Sequence, residues 1–226
     1  MSYILGLDPS LAKAGFVVLD TEASENATVD RGLLKTSTAD GILVERLIKQ
    51  RGQIRSKIEE YKIRFVGMEA PFYGSYNTEM LFALNQFLHE AFLDLGLFVV
   101  AFPPQQLKKL VFQDKACTEI HKPEMIDKAK TALNLQGKTL AEDVADAYWA
   151  GVFGKKFYKR YVEQETTDES LSEYEKTVFA GQHTFTRGMK KGVTEYSGII
   201  YRENDLFYNF GKIKRGKLNG SGNENS

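Results

Sequence analysis

The chain has 226 residues, with 30 basic side chains balanced by 30 acidic ones, three histidines and one cysteine, Cys117. That length accommodates one domain with an appendage, or two small domains, with a core that needs no staples. A single cysteine excludes an intrachain disulfide, the scarcity of sulfur and imidazole makes a Cys/His zinc site a poor fit, and zero net charge removes any global attraction to a polyanion. No run of about 18 apolar residues occurs, and the first residues lack the charged and apolar regions of a signal peptide. A cytoplasmic protein with no membrane partner is expected.

Residues 3–7 and 15–20 read as two strands around a turn containing Pro9, and residues 31–36 add a third, forming an antiparallel meander. Residues 41–60 set Leu43, Leu47, Ile54 and Ile58 at helical spacing among charges, which predicts a helix with one apolar face. RFVGMEAPF then reads as a short buried strand ending at Glu69. Between residues 77 and 95, MLFALNQFLHEAFLDL is apolar around much of its circumference, as suits a central core helix or one that also meets a partner subunit. LFVVAF (97–102) is another strand, stopped by Pro103 and Pro104, and helical patterns follow at 105–112, 123–134 and 139–158. Strands first, then strand and helix in alternation, predict an α/β layer domain.

Two acids share an unusual position, because Asp8 and Glu69 each end a short apolar strand, ILGLD and FVGME. If those strands are adjacent and parallel, both carboxylates emerge at one sheet edge. In AEDVADAYWAGVF, Asp143 and Asp146 stand three apart on a helix and project from one face. Four converging acids repel one another unless some are protonated or cations neutralise them. Carboxylate oxygens without thiolate or imidazole point to Mg2+ or Mn2+, and two such ions about 4 Å apart serve in-line attack on a phosphodiester. Taken singly, each acid has a plainer explanation as a turn, cap or solvated residue.

In combination, ILGLDPSLAKAGFVVLD, FVGMEAPFYG, FPPQQLKKLVF, HKPEMIDKAKTALNL and AEDVADAYWAG resemble the RuvC family of Holliday-junction resolvases, of ribonuclease H-like fold, from about residue 3 to 156. The resemblance implies a mixed sheet of about five strands flanked by helices. It implies a metal-dependent crossover junction endodeoxyribonuclease that cuts branched DNA as a homodimer, on four-way junctions and also flaps or forks. The family's four metal-binding acids fall on Asp8, Glu69, Asp143 and Asp146, and these with Lys122 make the catalytic set. Lys108 and Lys122 correspond to lysines that bind the scissile and neighbouring phosphates. Phe72, with Tyr73 beside it, corresponds to an aromatic that stacks on an unpaired base at the branch. The first motif reads Asp8-Pro9-Ser10 where the family often has Asp-Pro-Gly, while Gly15 is kept.

The domain reading is a nuclease domain over 1–159, an acidic linker or helix over 160–180, a basic aromatic β appendage over 181–218 and a disordered tail over 219–226. The acidic stretch carries Glu163, Glu165, Asp168, Glu169, Glu173 and Glu175 and reads first as a solvated helix or spacer. Residues 181–218 are net +5, and Lys190, Lys191, Lys212, Lys214 and Arg215 stand among aromatics as candidate DNA contacts. The extension marks the chain as resembling a divergent, phage-type member. Two other functions compete: an actin-like or sugar-kinase-type nucleotide binder, which shares the strand-Asp-Gly hairpin, and a non-catalytic branched-DNA-binding protein.

Overall fold

The computed structural model describes residues 2–23, 27–70 and 78–180, and the backbone of four short strands between residues 182 and 209. The apolar runs become β1 (Tyr3–Asp8), β2 (Lys13–Asp20), β3 (Thr28–Lys35), β4 (Phe65–Glu69) and β5 (Phe98–Phe102). The helical patterns become α1 (Leu43–Tyr61), α2 (Thr78–Asp94), α3 (Pro104–Val111), α4 (Lys122–Ala132) and α5 (Glu142–Tyr161). A shorter helix, α6 (Glu173–Phe179), and strands β6 (Gln182–Thr184), β7 (Thr194–Tyr196), β8 (Ile200–Glu203) and β9 (Leu206–Asn209) complete the described elements.

The main sheet runs β3-β2-β1-β4-β5-β8-β9. Its first five strands are the mixed sheet expected: β1 is antiparallel to β2 and parallel to β4, and β4 is parallel to β5. The C-terminal stretch is β-rich, and two of its strands continue this sheet, with β8 antiparallel to β5 and β9 antiparallel to β8. Strands β6 and β7 pair with each other as a separate ribbon.

Side chains alternate across a strand, so each strand feeds both faces of the sheet. Leu5, Leu7, Val66 and Met68 pack on one face beneath α1 and α2. Ile4, Phe65, Val100 and Phe102 point to the other, where α5 lies with α3 and α6 beside it. On α2, Leu84, Leu88 and Phe92 are fully buried, so it is a core helix, while Met80, Ala83 and Phe87 keep partial exposure.

Helix α5 touches the sheet backbone to backbone. A Cβ at Gly6 would fall 2.1 Å from the carbonyl oxygen of Ala147, one at Gly67 2.3 Å from that of Ala150, and one at Gly15 1.9 Å from that of Asp143. No side chain fits in those gaps, so three glycines on β1, β4 and β2 together set how closely α5 approaches and in what register.

The acidic segment is not a solvated spacer. Leu171, Val178 and Phe179 are buried with Phe102 and Phe157, and the nearly buried Glu175 carboxylate pairs with Lys156 at 2.8 Å. Glu175 also accepts from the backbone N–H of Ser172 while the Ser172 hydroxyl accepts from that of Glu175, a reciprocal cap that starts α6. Three apolar residues among many charges suffice to dock the segment.

Candidate active site

The parallel register of β1 and β4 pairs Leu7 with Met68, which sets Asp8 level with Glu69 on adjoining strands about 4.8 Å apart. Asp8 shares its face with Gly6, and Glu69 with Gly67, which is the face against α5. Gly15, opposite Asp8 on β2, receives the Asp143 carbonyl, so the first turn of α5 is fixed over the strand ends. Asp143 projects from that turn, where the helix N-terminus favours negative charge, and Asp146 follows three residues on along the same face.

All four carboxylates are half-buried. Burial and the neighbouring charges of Asp146 and Asp143 push Asp8 well above the usual carboxylate range. Glu69 is pushed well up by burial, then by Asp8 and Asp146, with Lys108 and Lys122 acting in the opposite direction. Asp146 is pushed up to about 6 by burial and Glu142, and Asp143 is raised by the same two causes. The protein therefore gathers these acids without supplying enough positive charge for them.

Lys122, exposed at the start of α4, reaches toward the cluster and pairs with Glu142. Lys108 on α3 is close enough for its charge to act on both Glu69 and Asp146. Both lysines thus lie beside the acid cluster. Ser10 Oγ lies 3.5 Å from the backbone nitrogen of Lys13, a long contact that still spans the β1–β2 turn. Phe72, Tyr73, Lys190, Lys191, Lys212, Lys214 and Arg215 lie outside the described residues.

Two participants were missed in the sequence. Glu142 raises Asp8, Asp143 and Asp146 and holds Lys122; its signal was its position four residues before Asp146, on the same helix face. Lys13, whose charge acts on Asp143, carried no signal beyond its place in the first motif.

The donor set suits a divalent cation that prefers oxygen. Among the described residues, no group of three or more His, Cys, Asp or Glu side chains is arranged to hold a metal ion by itself. An open cluster fits an octahedral ion that keeps several waters and takes one or two carboxylates plus substrate phosphate oxygens. The half-buried, mutually repelling acids Asp8, Glu69, Asp143 and Asp146 would be the residues to hold it.

The five-strand order with acids at the ends of the two central parallel strands and on the crossing helix defines a ribonuclease H-like nuclease. The model of the family described as crossover junction endodeoxyribonuclease RuvC matches residues 4–152, and the chain belongs to that family. A crossover junction endodeoxyribonuclease RuvC of Prochlorococcus marinus (strain MIT 9303) is 30% identical over 149 residues, covering 64% of this chain and 92% of the relative. One from Synechococcus sp. (strain WH7803) is 28% identical over 154 residues, covering 67% and 96%. The fold is shared with Thermus thermophilus RuvC (TM-score 0.59, 20% identity, 70% of this chain and 95% of that one) and with T. thermophilus RuvC in complex with Holliday junction substrate (TM-score 0.58, 18% identity, 72% and 97%). The family is one of divalent-metal-dependent nucleases, which displaces the nucleotide-binding alternative. Among the described residues no helix is long and apolar enough to cross a membrane.

Proposed function

We propose that this chain resolves four-way DNA junctions by phosphodiester hydrolysis, with Asp8, Glu69, Asp143 and Asp146 holding two Mg2+ or Mn2+ ions. One observation carries the reading: Asp8 and Glu69 lie in parallel register under the start of the helix that bears Asp143 and Asp146, all four with raised proton affinity. When bound, the cations supply an activated water and neutralise charge on the phosphate. The four carboxylates orient those ions, and burial keeps competing water from the acids' inner side. Lys122 and Lys108 hold the scissile and neighbouring phosphates, Lys122 exchanging Glu142 for the phosphate as DNA arrives. Phe72 and Tyr73 stack on an unpaired base at the branch.

Symmetric cutting of a two-fold junction calls for a two-fold protein. The half-buried Met80, Ala83 and Phe87 on α2, with the exposed Val44 and Ile48 on α1, support a homodimer through this helical face. The test is a cleavage panel with magnesium: four-way junctions, flaps, forks and linear duplex of equal length. Four-way junctions should be cut with paired, symmetric nicks. Equal cutting of linear duplex, or no cutting of any branched substrate, would remove the reading.

A further inference from the structure

Helix α3 carries Lys108 and is only eight residues long, too short to hold its own orientation without tertiary contacts. It begins at the catalytic edge, because Phe102, the last residue of β5, pairs with Glu69, and Pro103 and Pro104 follow directly. Leu107 and Leu110 bury one side of α3 in the core. Its second lysine is fixed by the segments around it. Lys109 Nζ donates to the carbonyl oxygens of Gln113 at 2.8 Å and Lys115 at 2.5 Å, and lies 5.3 Å from the ring centre of Tyr174 on α6. Tyr174 packs half-buried on the cluster that holds Leu107, Leu110 and Phe179, and the Phe179 ring meets that of Phe102 with centres 6.2 Å apart. Helix α6 thus grips α3 at the residue that leads into it and at its last turn. The contacts run on to α4: Lys115 pairs through its own Nζ with Glu124, which also accepts from the backbone N–H of His121, beside Lys122.

We propose that Tyr174 is a positioning residue for phosphate binding: its ring seats Lys109, and Lys109 fixes the rotation of α3 that keeps Lys108 beside the acid cluster. This rests on the nuclease reading above, in which Lys108 holds a phosphate. The two lysines are neighbours on a helix and stand about 100° apart around it, so α6 can bind one while the other serves the acids. A side-chain tip about 5–6 Å from the helix axis moves about 1 Å for every 10° of rotation. A misplacement of about 1 Å costs up to about 10²-fold in rate. An ammonium bonded to two carbonyls and held against a ring face resists that rotation. The family model ends at residue 152, so this support belongs to the chain's extension.

The experiment measures single-turnover cleavage of a four-way junction by the full chain with magnesium. Tyr174→Ala should slow cleavage about tenfold, and Tyr174→Phe, which keeps the ring, should stay within about twofold of the unmutated chain. Lys108→Ala alone should slow cleavage at least as much as Tyr174→Ala. A loss that acts through Lys108 must vanish without it, so Tyr174→Ala added to Lys108→Ala should change the rate by less than about twofold further. Lys109→Met keeps the stem and removes the charge, and should reproduce the loss and its dependence on Lys108 even if Tyr174→Ala does not fold. Full activity of Lys108→Ala, Lys109→Met or a folded Tyr174→Ala overturns the inference. So does an equal loss in Tyr174→Phe, or a tenfold loss that persists in the Lys108→Ala background. If the unmutated chain cuts junctions and these variants match it, only the positioning role falls; if it cuts no branched DNA, the nuclease reading and the role fall together.

Discussion

Two acid-rich regions of this molecule use the same side chains to opposite ends. Around α6 four of the segment's six acids meet a cation of the protein: Glu175 with Lys156, Asp168 with Arg160, Glu173 with Lys176 and Glu165 with Lys159. Arg160 holds Asp168 below the usual carboxylate range. At the ends of β1 and β4 the nearby cations are too few, Lys122 is held by Glu142, and Asp8, Glu69, Asp143 and Asp146 all titrate upward. Acids that the chain neutralises itself are structural. Acids that it buries together without such pairing are those proposed above to hold cations from solution.

The largest effect should come from the under-compensated set. Glu69→Gln or Asp8→Asn should lower junction cleavage by 10³-fold or more while binding persists, whereas Asp168→Asn should leave the cleavage rate unchanged; single-turnover assays compare them. Next in size is the docking of α6. Phe179→Ala should cost about 3–4 kcal/mol by emptying a fully buried site, and Lys156→Ala about 2–3 kcal/mol by stranding the buried Glu175 carboxylate, both read by denaturant unfolding.

Gly15→Ala sharpens the comparison from the backbone side. Its methyl group would press on the Asp143 carbonyl and lift the first turn of α5, so cleavage should fall by about 10²-fold at a stability cost of about 1–3 kcal/mol. Loss of stability without any loss of cleavage would show that the contact does not set the site.

The smallest effect is pH dependence of the metal-free protein. Asp146 is raised in the folded state from an ordinary value of 3.8 to about 6, so the folded protein holds its proton more tightly than the unfolded chain. Its contribution is fully present below about pH 3.8 and is lost as pH rises through about 6. With chelator present, stability should therefore decline by about 2 kcal/mol between pH 4 and pH 7 from this group, and Asp146→Asn should flatten the decline. Saturating magnesium should offset it, because the cation binds the ionised form.

Much of the site was legible because each strand-end acid terminates an apolar run and Asp143 and Asp146 share a helical face. The family pattern supplied the adjacency that periodicity alone left open. Gly15 was read only as the first residue of a strand, kept in the first motif, yet it also admits the Asp143 carbonyl, a contact between segments 128 positions apart that no local pattern reports. The acidic segment misled because composition weights every residue equally, while the few buried ones, Leu171, Val178 and Phe179 with the paired Glu175, dock it. The joining of β8 to β5 was likewise illegible, since a short strand carries no mark of which sheet edge it will extend.

The most direct test of the comparison is a manganese titration followed by electron paramagnetic resonance, on the full chain and on its Glu69→Gln, Asp146→Asn and Asp168→Asn variants. The account predicts up to two ions per chain in the unmutated protein, weakened or lost with Glu69→Gln and Asp146→Asn and unchanged with Asp168→Asn. Equal manganese binding by all four proteins, or none by the unmutated chain, would contradict it.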